Sequence, residues 1–155
     1  MGLPRVIVTS FVAGQSERIR SWHQHSARVL GGDPPPHVGS AAVGSVWHLA
    51  SSNNRTLARR IAVFPSADAA VADARRTLGT SDTLEASMVR DRHLLELGWY
   101  LRSAEGPTLV SARWYSTERD RRNSVLAALE ALRSAVLDPV VRVSAHRSPA
   151  RSARD

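Results

Sequence analysis

The chain has 155 residues, 43% of them hydrophobic, with 21 basic side chains against 14 acidic ones and no cysteine. That length suits one compact unit or two small subdomains, and the missing cysteines exclude structural disulfides, thiolate nucleophiles and cysteine-bound zinc. All 21 basic residues are arginine, which excludes Schiff-base and phosphate-loop lysines, and the net charge of +7 is spread along the chain rather than gathered in a basic arm.

Residues 5–12, rich in β-branched side chains, predict a strand. No apolar run approaches the roughly 18 residues of a membrane span, and the short apolar start reads as a buried strand rather than a cleaved leader, so the expected location is cytoplasmic. Glu17 to Leu30 places Ile19, Trp22, Val29 and Leu30 at helical spacing behind Ser16, which predicts an amphipathic helix. Three consecutive prolines, Pro34 to Pro36, mark residues 31–44 as a linker. Residues 1–30 are accordingly expected as a strand–helix appendage to the remainder of the chain.

From residue 45 the chain repeats itself. Trp47, Leu49, Ser51, Thr56 and Leu57 recur as Trp99, Leu101, Ser103, Thr108 and Leu109. With about two residues inserted in the second copy, Val71 and Leu78 fall on Val125 and Leu132. Leu95 to Leu101 alternates with period two, so each copy, 45–90 and 91–144, opens with a strand. A turn (Ser52 to Asn54, or Glu105 to Pro107) leads to a second strand, Thr56 to Phe64 or Thr108 to Tyr115. Ser66 caps a helix ended by Gly79; its counterpart spans about Asp120 to Leu137 and stops before Pro139. Short apolar alternations come after each helix, at Leu84 to Met88 and at Val141 and Val143. Residues 145–155 predict a disordered tail.

The hairpin and cap of the second copy resemble the YegP-like family of small tandem-repeat proteins. The matching residues are Trp99, Leu101, Ser103 to Gly106, Leu109 to Ser111 and Tyr115-Ser116-Thr117, with Trp114 where the family has glycine. In the first copy Trp47, Leu49, Ser51, Asn53-Asn54, Leu57 and Phe64-Pro65-Ser66 match. The two copies span residues 44–144. The resemblance implies an α+β fold of two tandem β-β-β-α-β-type repeats, one antiparallel-rich sheet with helices on one face, and exchanged terminal strands. It carries no reaction and no catalytic residues.

Chemistry is sparse. His23 and His25 stand two apart, which on a helix sends them to different faces, so they are expected as solvent-facing residues rather than metal ligands. A His-dependent metalloenzyme is the remotest reading; no cofactor and no metal site are expected. Asp68, Asp73, Glu118 and Asp120 lie beside arginines and are expected on solvated helix faces. Trp47 and Trp99 are expected in the core. Arg59, Arg60, Tyr100, Arg102, Arg113 and Trp114 are the candidate nucleic-acid or partner-binding residues, on strands that could stack single-stranded bases and contact phosphates. The expected function is a non-catalytic binding or protein-interaction module, with a homodimer as one arrangement. Single-stranded RNA binding is the alternative.

Overall fold

The computed structural model describes residues 2–12, 16–31 and 44–144. The proline linker and the C-terminal tail lie outside the described residues.

Among the described residues, eight strands and three α-helices form an α+β fold. In chain order they are β1 (Arg5–Phe11), α1 (Ser16–Leu30), β2 (Gly44–Ala50), β3 (Thr56–Arg60), α2 (Ala67–Gly79), β4 (Glu85–Arg90), β5 (Leu97–Ser103), β6 (Gly106–Ser111), α3 (Glu118–Ser134), β7 (Val136–Leu137) and β8 (Arg142–Ser144). All strands join one sheet in the order β4-β5-β6-β3-β2-β1-β7, with β8 also beside β1. None of the described helices is long and apolar enough to cross a membrane.

This order divides the chain differently from the expectation. Strands β1, β2 and β3 are consecutive antiparallel neighbours followed by α2; β4, β5 and β6 are consecutive antiparallel neighbours followed by α3. Each unit is therefore β-β-β-α, and its outer strand precedes the hairpin instead of coming after the helix. The segment expected as an appendage supplies the first strand of the first unit. β1 runs Val6-Ile7-Val8, is buried on both faces, and fills beside β2 the place that β4 fills beside β5. After α3, Val136 and Leu137, expected as the end of the helix, and Arg142 to Ser144, where a short alternation was expected, pair parallel with β1. The same pairing ends α3 at Ser134, ahead of Pro139, because Val136 and Asp138 donate their N–H groups to Pro4 and Val6.

The core lies between the sheet and the α2–α3 layer. Trp47 and Trp99 are fully buried there with Val6, Val8, Leu49, Leu101 and Leu109. Ser66 and Thr117 cap α2 and α3, each hydroxyl accepting the N–H three residues on, from Ala69 and Asp120. The two indoles correspond: Trp47 Nε1 donates to Asp73 on α2 at 2.8 Å, and Trp99 Nε1 donates to Ser124 on α3 at 3.0 Å. These pairs correct the helix register read from the sequence. Ser66 matches Thr117, Asp73 matches Ser124, and Ala74 rather than Val71 matches Val125. The first hairpin has one residue more between Leu49 and its partner Ala58 than the second has between Leu101 and Leu109.

Asp73 is also not on a solvated face. It is 3% exposed and accepts hydrogen bonds from Trp47, Arg60 and Arg76.

Candidate functional site

Helix α1 is what distinguishes the two units. It is inserted between β1 and β2, where the second unit has only the turn Asp91 to Glu96, and it packs on the sheet face away from α2 and α3. Ile19 anchors its first turns against Phe11 and Val46. Trp22 Nε1 donates to the Arg60 carbonyl at 2.6 Å, and His25 Nε2 donates to the Ser111 carbonyl at 2.7 Å. At the far end Arg28 bonds Asp91 and Glu96, both at 2.8 Å, and lies over the Trp114 ring at 4.2 Å. Trp114 fits there because β5 carries glycine: a Cβ at Gly98 would come within 3.1 Å of the ring.

Beneath α1, one row of paired residues runs across six strands: Ile7, His48, Arg59, Val110, Tyr100 and Ser87. Directly paired residues point to the same face, so this row forms the floor under the helix. At its β1–β3 end the helix and sheet leave a cleft of about 300 Å³. Arg18, Ser21 and Trp22 line it from the helix, and Thr9, Phe11, Val46, His48, Thr56 and Arg59 line it from the sheet.

The electrostatics of this cleft are one-sided. Among the described residues lining it there is no carboxylate. Arg59 lies over the Trp22 ring at 5.2 Å and makes no ion pair with a described residue. Burial holds its pKa below the usual arginine value. His48, directly across from Arg59, is pushed down to about 4, first by burial and then by the positive charges of Arg142 and Arg59. Its imidazole is therefore neutral near pH 7. Arg18 donates to Ser144, tying the first turn of α1 to β8.

A histidine with a lowered folded pKa costs stability once the unfolded chain takes up a proton that the folded one refuses. The loss begins below the ordinary value of 6.5 and grows until pH passes about 4. His48→Gln is expected to flatten that limb of a plot of melting temperature against pH. His25, also lowered chiefly by burial, accounts for a remainder. An unchanged slope in His48→Gln would place the acid sensitivity elsewhere.

No family model matches the sequence, and neither does any curated protein. Among solved structures it is similar to the solution NMR structure of the UPF0339 protein SO3888 from Shewanella oneidensis. Identity is 8% over 89% of this chain and 90% of that one, with a TM-score of 0.50. The chain shares that fold. It is also similar to the NMR structure of yegP from E. coli, a protein of unknown function, at 14% identity over 69% of this chain and 90% of that chain, with a TM-score of 0.49.

On this shared fold the six residues singled out from the sequence do not converge. Arg59 and Tyr100 lie in one row on the α1 face, separated by Val110. Arg60 points to the opposite face, 17% exposed, and binds Asp73 at 2.8 Å and the Thr108 carbonyl at 2.9 Å. Arg102 is exposed at the end of the second hairpin. Trp114 is half-buried under Arg28, while exposed Arg113 borders a separate groove with Arg55 and Asp120.

The histidines also differ from expectation. His23 is 5% exposed and His25 is half-buried, because α1 buries more than half its circumference against sheet and turn. No cluster of three or more His, Cys, Asp or Glu residues suited to a metal occurs among the described residues. Sequence reasoning missed His48 and Arg18 as site residues. The one available signal was the pairing of His48 with Arg59, which requires the hairpin register to be known.

Proposed function

We propose that this protein is a non-catalytic binding module of YegP-like ancestry, built by internal duplication of a β-β-β-α unit, whose ligand occupies the cleft between α1 and the sheet. The recurrence of the tryptophan–helix hydrogen bond and of the serine or threonine cap in both units supports the duplication. The observation that carries the binding reading is Arg59, a half-buried guanidinium with no carboxylate beside it in a cleft of ligand size. An unpaired buried charge is costly and is kept where something else compensates it.

The open stacking platform expected for single-stranded RNA is reduced by α1, which packs on the sheet face that carries Arg59 and Tyr100, and by the engagement of Arg60 with Asp73. NMR titration with a mixed library of small fragments separates the readings. Shifts are expected to cluster at Thr9, Ser21, Trp22, His48 and Arg59, and to weaken about tenfold in Arg59→Gln, the loss of one charge-assisted contact. Fragments that bind without touching these residues would overturn the reading. So would tight, steeply salt-dependent RNA binding that falls in Arg102→Gln or Arg113→Gln, which would restore the nucleic-acid alternative.

A further inference from the structure

We propose that the ligand of the α1 cleft is a small organic oxyanion, a carboxylate or phosphate monoester carried on a compact apolar body. This rests on the cleft being the binding site and adds the chemical class of what it holds.

The cleft is lined by two kinds of group. Arg59 and Arg18 present guanidinium groups, and Thr9 and Thr56 add hydroxyls from β1 and β3, which flank β2. The planar guanidinium fork matches two oxygens of one anion. Phe11, Val46 and the ring of Trp22, which pack together, add an apolar wall. A bound anion supplies the negative charge that no described lining residue supplies, and an apolar body covers the wall. His48, neutral near pH 7, adds an imidazole N–H without a further charge, so the anion meets donors on both strands. A polymeric anion fits less well. The cleft is of single-ligand size and is roofed by a helix pinned at both ends, through Arg18 to Ser144 and through Arg28 to Asp91 and Glu96.

The test uses four probes on the full chain: benzoate, phenyl phosphate, inorganic phosphate and neutral benzyl alcohol. Melting temperature and tryptophan emission are followed up to ~10 mM, where even millimolar affinities register. Benzoate or phenyl phosphate is expected to bind about tenfold or more tightly than benzyl alcohol, and which of the two prevails separates carboxylate from phosphate. Binding should fall by a similar factor in Arg59→Gln and return in part in Arg59→Lys, which keeps the charge without the fork. Trp22→Phe should remove the emission change, and Arg102→Gln should behave as wild type. If benzyl alcohol binds as well as benzoate and still perturbs Trp22, the anion class is wrong while the cleft remains a binding site. If inorganic phosphate matches phenyl phosphate, the apolar half is wrong. No Arg59-dependent response to any probe overturns the proposal.

Discussion

Replacing Asp73 with alanine is expected to lower the unfolding free energy by about 3–5 kcal/mol, the range for removing one partner of a buried ion pair. The carboxylate is 3% exposed and is held by Arg60 through both oxygens, by Arg76 and by the Trp47 indole. Its removal leaves the largely buried Arg60 guanidinium with the Thr108 carbonyl and the Phe64 ring but no counter-charge. Urea unfolding checks the value, and a loss below about 1 kcal/mol, the scale of an exposed pair, would show that the network contributes no more than a surface one.

The same group gives an acid limb. Burial acts to raise the Asp73 pKa, but the hydrogen bonds from Arg60, Trp47 and Arg76 and the charge of Arg60 outweigh it, so the folded value lies below the ordinary 3.8. The stabilisation is therefore complete above the unfolded pKa and disappears as pH falls through the folded one. Asp73→Asn should remove this limb and leave the His48 limb at higher pH in place.

Trp99→Ala is expected to cost about 3–5 kcal/mol, since the ring is fully buried and its removal opens a cavity beneath α3. The phenylalanine substitutions are more discriminating, because Trp47 and Trp99 occupy corresponding places with different partners. Trp47 donates to a carboxylate and Trp99 to a hydroxyl that also bonds Tyr115. Hydrogen bonds to charged groups contribute roughly 1.5–3 kcal/mol and neutral ones roughly 0.5–1.5. Trp47→Phe should therefore destabilise more than Trp99→Phe by about 1 kcal/mol in parallel urea titrations. Equal losses would mean that ring burial, not the acceptor's charge, sets the cost.

Local pattern makes much of the fold legible. The period-two runs mark β2 and β5, Ser66 marks the start of α2, and Ile19 with Trp22 marks α1. The phase of the units is not legible, because a strand between two helical segments can pair forward or backward and alternation is blind to which. Residues 84–88 read as the close of the first copy, yet they open the second unit. The site is harder still. Arg59 and Arg60 are adjacent in sequence, yet strand geometry sends one into the cleft and the other to Asp73. Asp73 and Ser124 look unrelated as residue types, and only their shared tryptophan partner shows that they correspond.

The pairing of Phe11 with Gly44 bears on how the cleft could change. These two residues face each other where α1 leaves and rejoins the sheet, just as Arg90 faces Leu97 across the short turn of the second unit. Directly paired strand residues stand only about 5 Å apart. A chain in which residues 12–43 are exchanged for a turn like Asp91 to Glu96 would therefore close without moving a strand. On the binding role proposed above, recognition and architecture are separable: the insert brings Arg18, Ser21 and Trp22 to a floor that the sheet already supplies. On that role, variation in this one segment is a route by which such a sheet exchanges one ligand for another while keeping the same core.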